Sequence, residues 1–183
     1  MIRTFVALPI PDEIKASLDA AVGVLRGRNP GVRWVRPEGL HITLKFLGDI
    51  EEHTVAPLCA DLDVAARTCP VPSLSLAGLG AFPGLKRPRV VWVGLAGDME
   101  HLVALASAVD RACARHGIAP EKRPFSGHIT LGRLKTPTVV DLGIGSVSGQ
   151  FSASEVRLYR SVLTPGGAQY TVLHRSSLGG KGG

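Results

Sequence analysis

The stretch GLHITLKFLG, residues 39–48, contains a tetrapeptide that the chain writes a second time, in SGHITLGRLK at 126–135. His-Ile-Thr-Leu stands at 41–44 and again at 128–131, 87 residues later. Chance at ordinary composition produces such a match among six histidines in roughly half a percent of sequences. The repeat is therefore read as the trace of a duplicated unit, and the pattern around it agrees.

Each copy has the same preamble. RTFVALPI (3–10) and RVVWVGLA (89–96) are short β-branched and aromatic runs, and at a constant offset Phe5 falls on Trp92. A helical pattern follows each run. Residues 11–27 carry Ile14, Leu18, Ala21, Val22 and Leu25 at three- and four-residue spacing, after Pro11, Asp12 and Glu13. Residues 98–116 start at Asp98 and carry Leu102, Leu105, Ala106, Val109 and Cys113 in the same rhythm. About a dozen residues on comes the HITL strand. Two β-α-β units related by an approximate twofold are expected. A further helix over 51–68, a strand over 73–82 and two or three strands over 149–178 complete the chain, with a turn at Pro165-Gly166-Gly167. This predicts an α+β fold of two pseudo-twofold-related lobes, rich in antiparallel sheet, with outer helices around a central cleft. Residues 1–177 form one bilobal domain, and 178–183 (LGGKGG) a flexible tail.

Successive side chains of a strand point to opposite faces. His41 and Thr43 thus share one face and Ile42 and Leu44 the other; His128 and Thr130 are set likewise against Ile129 and Leu131. The apolar pair packs on the lobe's helix, and the polar pair is presented away from it. If the lobes face each other, two His-x-Thr pairs converge on one cleft. Near neutral pH one imidazole can be neutral while the other is protonated, so one takes a proton while the other gives one. The threonine hydroxyls can hold the non-bridging oxygens of an anion between them. Such a set suits phosphoester chemistry that needs no metal.

Other chemistries find less support. Two histidines without nearby Cys, Asp or Glu fall short of the three protein ligands usual at catalytic zinc. There is no G-x-S-x-G elbow and no P-loop. His53, His101, His116 and His174 lack a matching motif and read as solvated or structural. Cys59, Cys69 and Cys113 have no paired spacing and read as free thiols.

A charge of +6 and a pI of 9.7 favour anionic partners such as RNA or nucleotides. Arg36, Lys86, Arg87 and Arg123 lie in loops near the strands and offer a basic rim. No apolar run approaches a membrane span, and the N-terminus lacks a secretion signal, so a cytoplasmic protein is expected. No cofactor is implied. Binding alone would not need a matched acid and base, which weighs against a non-catalytic RNA- or nucleotide-binding module.

At these residues the chain resembles the 2H phosphoesterase superfamily, named for two H-x-[ST]-x motifs. More closely it is similar to the RNA 2′,3′-cyclic phosphodiesterase branch, historically 2′-5′ RNA ligase. RTFVALPIP, VRWVRPEGLHITLKFLGDI (32–50), RPRVVWVGL (87–95), PFSGHITLGR (124–133) and LYRSVLTPGGAQY (158–170) resemble that family's blocks in its order. The resemblance implies hydrolysis of an RNA terminal 2′,3′-cyclic phosphate to a 2′-phosphomonoester, without a metal or cofactor; a monomer is expected. By motif position His41 is the proton donor, His128 the proton acceptor, and Thr43 and Thr130 hold the phosphate. Reversible 2′-5′ RNA joining, or the same chemistry on a small cyclic nucleotide, uses the same residues and stays open.

Arg133 matches an arginine of the family motif and is the leading candidate for a phosphate or base contact. Strict alternation puts it on the face away from His128, so a bulge or the strand end must turn it. Phe46 holds the equivalent place in the first motif and reads first as core, second as a substrate contact. Arg36 and Lys86 are further candidate contacts. One departure is visible: the family usually has proline before the second histidine, where this chain has Gly127. Glycine there is expected to loosen the strand entry.

Overall fold

The chain forms β1 (Ile2–Pro9), α1 (Asp12–Arg26), β2 (Arg33–Trp34), β3 (His41–Ile50), α2 (Val55–Arg67), β4 (Ser73–Phe82), β5 (Val90–Gly97), α3 (Met99–Ala114), β6 (His128–Arg133), β7 (Gln150–Ser152), β8 (Glu155–Thr164) and β9 (Gly167–Ser177). The structure, a computed structural model, describes residues 1–143 and 146–179. The helices form where the apolar spacing predicts: Ile14, Leu18, Val22 and Leu25 are the buried stripe of α1, and Leu102, Leu105, Ala106, Val109 and Cys113 lie in that of α3. Asp12 and Glu13 sit in the first turn of α1 and Arg26 in its last, as the helix dipole favours.

One antiparallel sheet runs through both halves, in the order β7-β4-β5-β6-β3-β1-β8-β9, with β2 paired to β6 off this path. Read outward from the middle, one half is β6-β5-β4-β7 and the other β3-β1-β8-β9. The halves meet at a single register pair, Ile42 opposite Ile129, the same position of the two motifs. Both side chains are fully buried, each contributing about 1.5–3 kcal/mol of hydrophobic stabilisation. Beyond this pair the strands separate. The gap along β6 is taken by β2, with Arg33 opposite Arg133, Trp34 opposite Gly132, and the Val35 N–H donating to Leu131 O at 2.8 Å.

The motif strands are bent alike. Val6 faces Lys45 while Ala7 faces Thr43, so Leu44 is an extra residue; Val91 faces Gly132 while Trp92 faces Thr130, so Leu131 is extra. Each strand thus has a bulge at the residue after the threonine, which reverses the alternation as far as Phe46 in β3 and Arg133 in β6. Burial follows the bulge identically in both: half-buried His, buried Ile, half-buried Thr, two buried residues, then an exposed one, Phe46 or Arg133.

Three expectations are corrected. The register places Ala7, not Phe5, where Trp92 stands in the second half, because the connection into β5 shifts the equivalence by two residues. The helix α3 lies against β3, the motif strand of the other half, and Lys45 ties the two: its ammonium donates to Asp110 Oδ1 at 2.5 Å and to Ala119 O at 2.8 Å. Of the residues read as a tail, Leu178 is buried and its N–H donates to Ser154 O, so the ordered chain runs past 177. Residues 180–183 lie outside the described residues.

Glycine at 132 and 127 answers to close approach. A Cβ at Gly132 would stand 2.4 Å from Val32 Cγ1 and 3.1 Å from Trp34 Cε3, so β2 can lie on β6 only where a side chain is missing. A Cβ at Gly127 would stand 2.9 Å from Leu102 Cδ2, in the first turns of α3. The residue before the first motif, Leu40, is buried; in the second half Leu102 fills the corresponding space. Gly127 is therefore a packing position as well as a flexible one.

Candidate active site

The register centred on Ile42–Ile129 sets His41 diagonally across from His128, and each histidine beside the other motif's threonine, all on the face away from the buried isoleucines. Such a diagonal corresponds to about 7–8 Å between neighbouring strands of a flat pair. The histidines are held in the same way. His41 Nδ1 bonds Gly39 O at 2.8 Å and His128 Nδ1 bonds Ser126 O at 2.8 Å, each to the carbonyl two residues back. A carbonyl only accepts, so Nδ1 carries the hydrogen and Nε2 is the nitrogen left to take or give a proton. Among the described residues neither Nε2 has a protein partner, and neither threonine hydroxyl is bonded.

The surroundings of the two rings differ. His41 lies among aromatics, with ring centroids 4.8 Å from Phe5, 5.4 Å from Tyr170 (edge-on) and 6.4 Å from Tyr159. Phe5 and Tyr159 stack at 5.0 Å. His128 has Phe82 edge-on at 5.2 Å, and Phe82 in turn meets Trp92 at 5.1 Å. Trp92 stands beside Thr130 where the small Ala7 stands beside Thr43. The indole fits because Gly80 lies beneath it: a Cβ there would be 2.3 Å from Trp92 Cζ2. Burial, with the charges of Arg133 and His128, pulls His41 down to about 4 against the pull of the Gly39 carbonyl. Burial pushes the Tyr170 phenol up, opposed by Arg133 and Arg3. Arg133 is thus close enough to act electrostatically on both His41 and Tyr170.

The bulges decide what becomes of the other candidates. Arg133 is turned onto the face of His128 and Thr130 and is exposed. Phe46 is turned likewise: it is 63% exposed, with its ring 6.0 Å from Phe5, so its reading as core is corrected. Arg36 is exposed just before the turn Pro37–Gly39 that leads into His41. Lys86 and Arg87 are exposed in the β4–β5 turn, and Arg123 in the loop before Ser126. Phe5, Phe82, Tyr159 and Tyr170 carry no motif that marks them as site residues. Only alternation along their strands, counted in from a known register, finds them.

The remaining histidines are engaged elsewhere. His116 Nε2 meets Asp61 and His174 Nε2 meets Asp63, each at 2.8 Å, bracing α2 on both sides; His101 lies 3.8 Å from Asp98. His174 stands in β9. The three cysteines are free, Cys69 and Cys113 buried. Among the described residues no three His, Cys, Asp or Glu are grouped to hold a metal, and no helix is long and apolar enough to cross a membrane.

Solved structures of similar shape and relatives of similar sequence point to one family. The structure superposes on that of TT0787 of Thermus thermophilus with a TM-score of 0.82 at 30% identity, covering 99% of this chain and 100% of that one. It superposes on Escherichia coli LigT complexed with 3′-AMP with a TM-score of 0.81 at 29% identity, covering 97% and 98%. The RNA 2′,3′-cyclic phosphodiesterase of Archaeoglobus fulgidus is 38% identical over 173 residues, 92% of this chain and 96% of that one. The model of the LigT like Phosphoesterase family matches twice in succession, over residues 8–92 and 93–170. With both halves matched and relatives aligned nearly end to end, the chain belongs to the LigT-like phosphoesterase family of the 2H superfamily.

Proposed function

We propose that the cleft hydrolyses the 2′,3′-cyclic phosphate at the end of an RNA to a 2′-phosphomonoester, with the two histidines as acid and base and no metal. The observation that carries this reading is the matched pair of imidazoles. Each is fixed through Nδ1 on its own strand's carbonyl, each leaves Nε2 open, and each has an unbonded threonine hydroxyl on its face.

In this reading the cyclic phosphate sits between the motifs, with Thr43 and Thr130 donating to its non-bridging oxygens. Water attacks phosphorus opposite O3′ and gives a proton to His128 Nε2. The P–O3′ bond breaks as His41 Nε2–H protonates O3′, leaving the phosphate on O2′. Exchange with solvent resets both rings. In the empty cleft His41 is neutral at pH 7, because burial and the Arg133 charge oppose its proton. A bound phosphate anion offsets that charge, so substrate binding is coupled to proton uptake at the acid.

The test is incubation with an RNA oligomer ending in a 2′,3′-cyclic phosphate and separation of the products. A 2′-phosphate end supports the reading. An intact cyclic end, or a 3′-phosphate, overturns it.

A further inference from the structure

One end of the sheet carries positive charge that hydrolysis of a terminal phosphate does not use. Phe82, Val90, Arg133 and Arg33 are successive register partners across β4, β5, β6 and β2. They form a row on one face, and the Leu131 bulge makes it the face of His128. Arg33 and Arg133 stand directly opposite each other, both exposed, where like charges repel. Neither joins a carboxylate in any ion pair of the described residues.

Just past the row, Leu134 N–H donates to Arg89 O and Arg89 Nη1 donates to Lys135 O at 3.0 Å, which sets two more exposed cations side by side. The three segments that build this end, 26–37, 82–90 and 132–140, hold nine of the chain's 21 Lys and Arg and none of its 15 Asp and Glu. Two strand spacings separate β2 from β5, about 10 Å. That is room for two or three phosphates of an extended strand.

We propose that Arg33, Arg89 and Lys135 continue the cleft from Arg133 and bind the phosphodiesters on the 5′ side of the terminal nucleotide. The preferred substrate is then the end of a single-stranded RNA, not a free cyclic mononucleotide. The inference rests on the function proposed above, and its test separates the two.

The experiment measures kcat/KM against salt for a 2′,3′-cyclic mononucleotide and for an octanucleotide with the same end. Wild type is expected to favour the octanucleotide by roughly tenfold or more at low salt. Its log–log salt slope should be steeper by about 2, from three contacts at about 0.7 each. In Arg33→Gln/Arg89→Gln/Lys135→Gln the preference and the extra slope should collapse. Arg111→Gln, a charge lost away from this end on the exposed side of α3, should keep both. If the triple variant fails to fold by circular dichroism, each single variant should lose about 0.7 of slope.

Equal turnover and equal slopes for both substrates in wild type would overturn the inference and leave the proposed function standing. So would an octanucleotide preference that survives in the triple variant. If neither substrate is turned over, the proposed function fails. Anisotropy of an octanucleotide ending in a 2′-phosphate then reads the same surface: loss of slope in the triple variant supports the inference, and an unchanged slope sinks it.

Discussion

Lys45→Met removes the ammonium that ties the first motif strand to α3. Its partner Asp110 is one-quarter exposed, whereas the Lys45 side chain is only 4% exposed. Burial works to raise Asp110, yet the Lys45 bond and charge, the Glu121 N–H and Arg111 outweigh it and hold the carboxyl below its ordinary range. Losing one member of a buried pair costs about 3–5 kcal/mol. Asp110 keeps the Glu121 N–H at 3.1 Å and some water, so Lys45→Met should cost less, on the order of 2–3 kcal/mol. Asp110→Asn should cost more than Lys45→Met, because it strands the more deeply buried charge. The assay is the urea midpoint at pH 7. Asp110 has a folded pKa below its unfolded value, so its contribution is present above about pH 4 and is lost as pH falls through the folded pKa. The difference between wild type and Lys45→Met should therefore shrink in acid. A cost below about 0.5 kcal/mol, or Lys45→Met proving worse than Asp110→Asn, would refute the reasoning.

Other consequences follow from the same geometry. His41 has a folded pKa of about 4 against 6.5 unfolded, so the folded state binds fewer protons and stability falls as pH drops from 6.5 towards 4. The loss should be on the order of 2–3 kcal/mol after discounting for the ring's partial exposure, and His41→Gln should remove that dependence in urea titrations at pH 7 and 4.5. Arg133→Met should raise the His41 pKa, read by nitrogen-15 NMR of the imidazole, because one repelling charge is gone; a lower or unchanged value would place Arg133 elsewhere. Gly132→Ala should cost about 1–3 kcal/mol by overpacking Val32 and Trp34 and should reduce kcat/KM by moving Arg133. A neutral result would mean that β2 yields freely.

How much of this is legible in the sequence depends on the range of each signal. The His-x-Thr faces, the buried stripes of α1 and α3 and the mixed α+β class rest on spacing within a few residues, and they read correctly. That a bulge turns Arg133 onto the face of His128 is also sound. Phe46 has the identical motif position and needs the same bulge, which makes an exposed aromatic of a residue that alternation and hydropathy read as core. A two-residue strand such as β2 has no periodicity to detect. Its trace is Gly132, and that becomes visible only when Val32 and Trp34 are seen against it. Lys45 and Asp110 lie 65 residues apart, beyond any local pattern. The aromatic wall around His41 comes from β1, β8 and β9, which only the sheet register brings together.

The central claim is that two histidines, each holding Nε2 open, do all the proton transfer. It is tested most directly by single-turnover hydrolysis of an RNA 2′,3′-cyclic phosphate in excess EDTA, comparing wild type with His41→Ala and His128→Ala. The account predicts undiminished wild-type turnover, a loss of about 10²–10⁴-fold in each variant, and a double variant little worse than either single one. Wild-type activity abolished by EDTA, or a single variant that keeps near wild-type turnover, would contradict it.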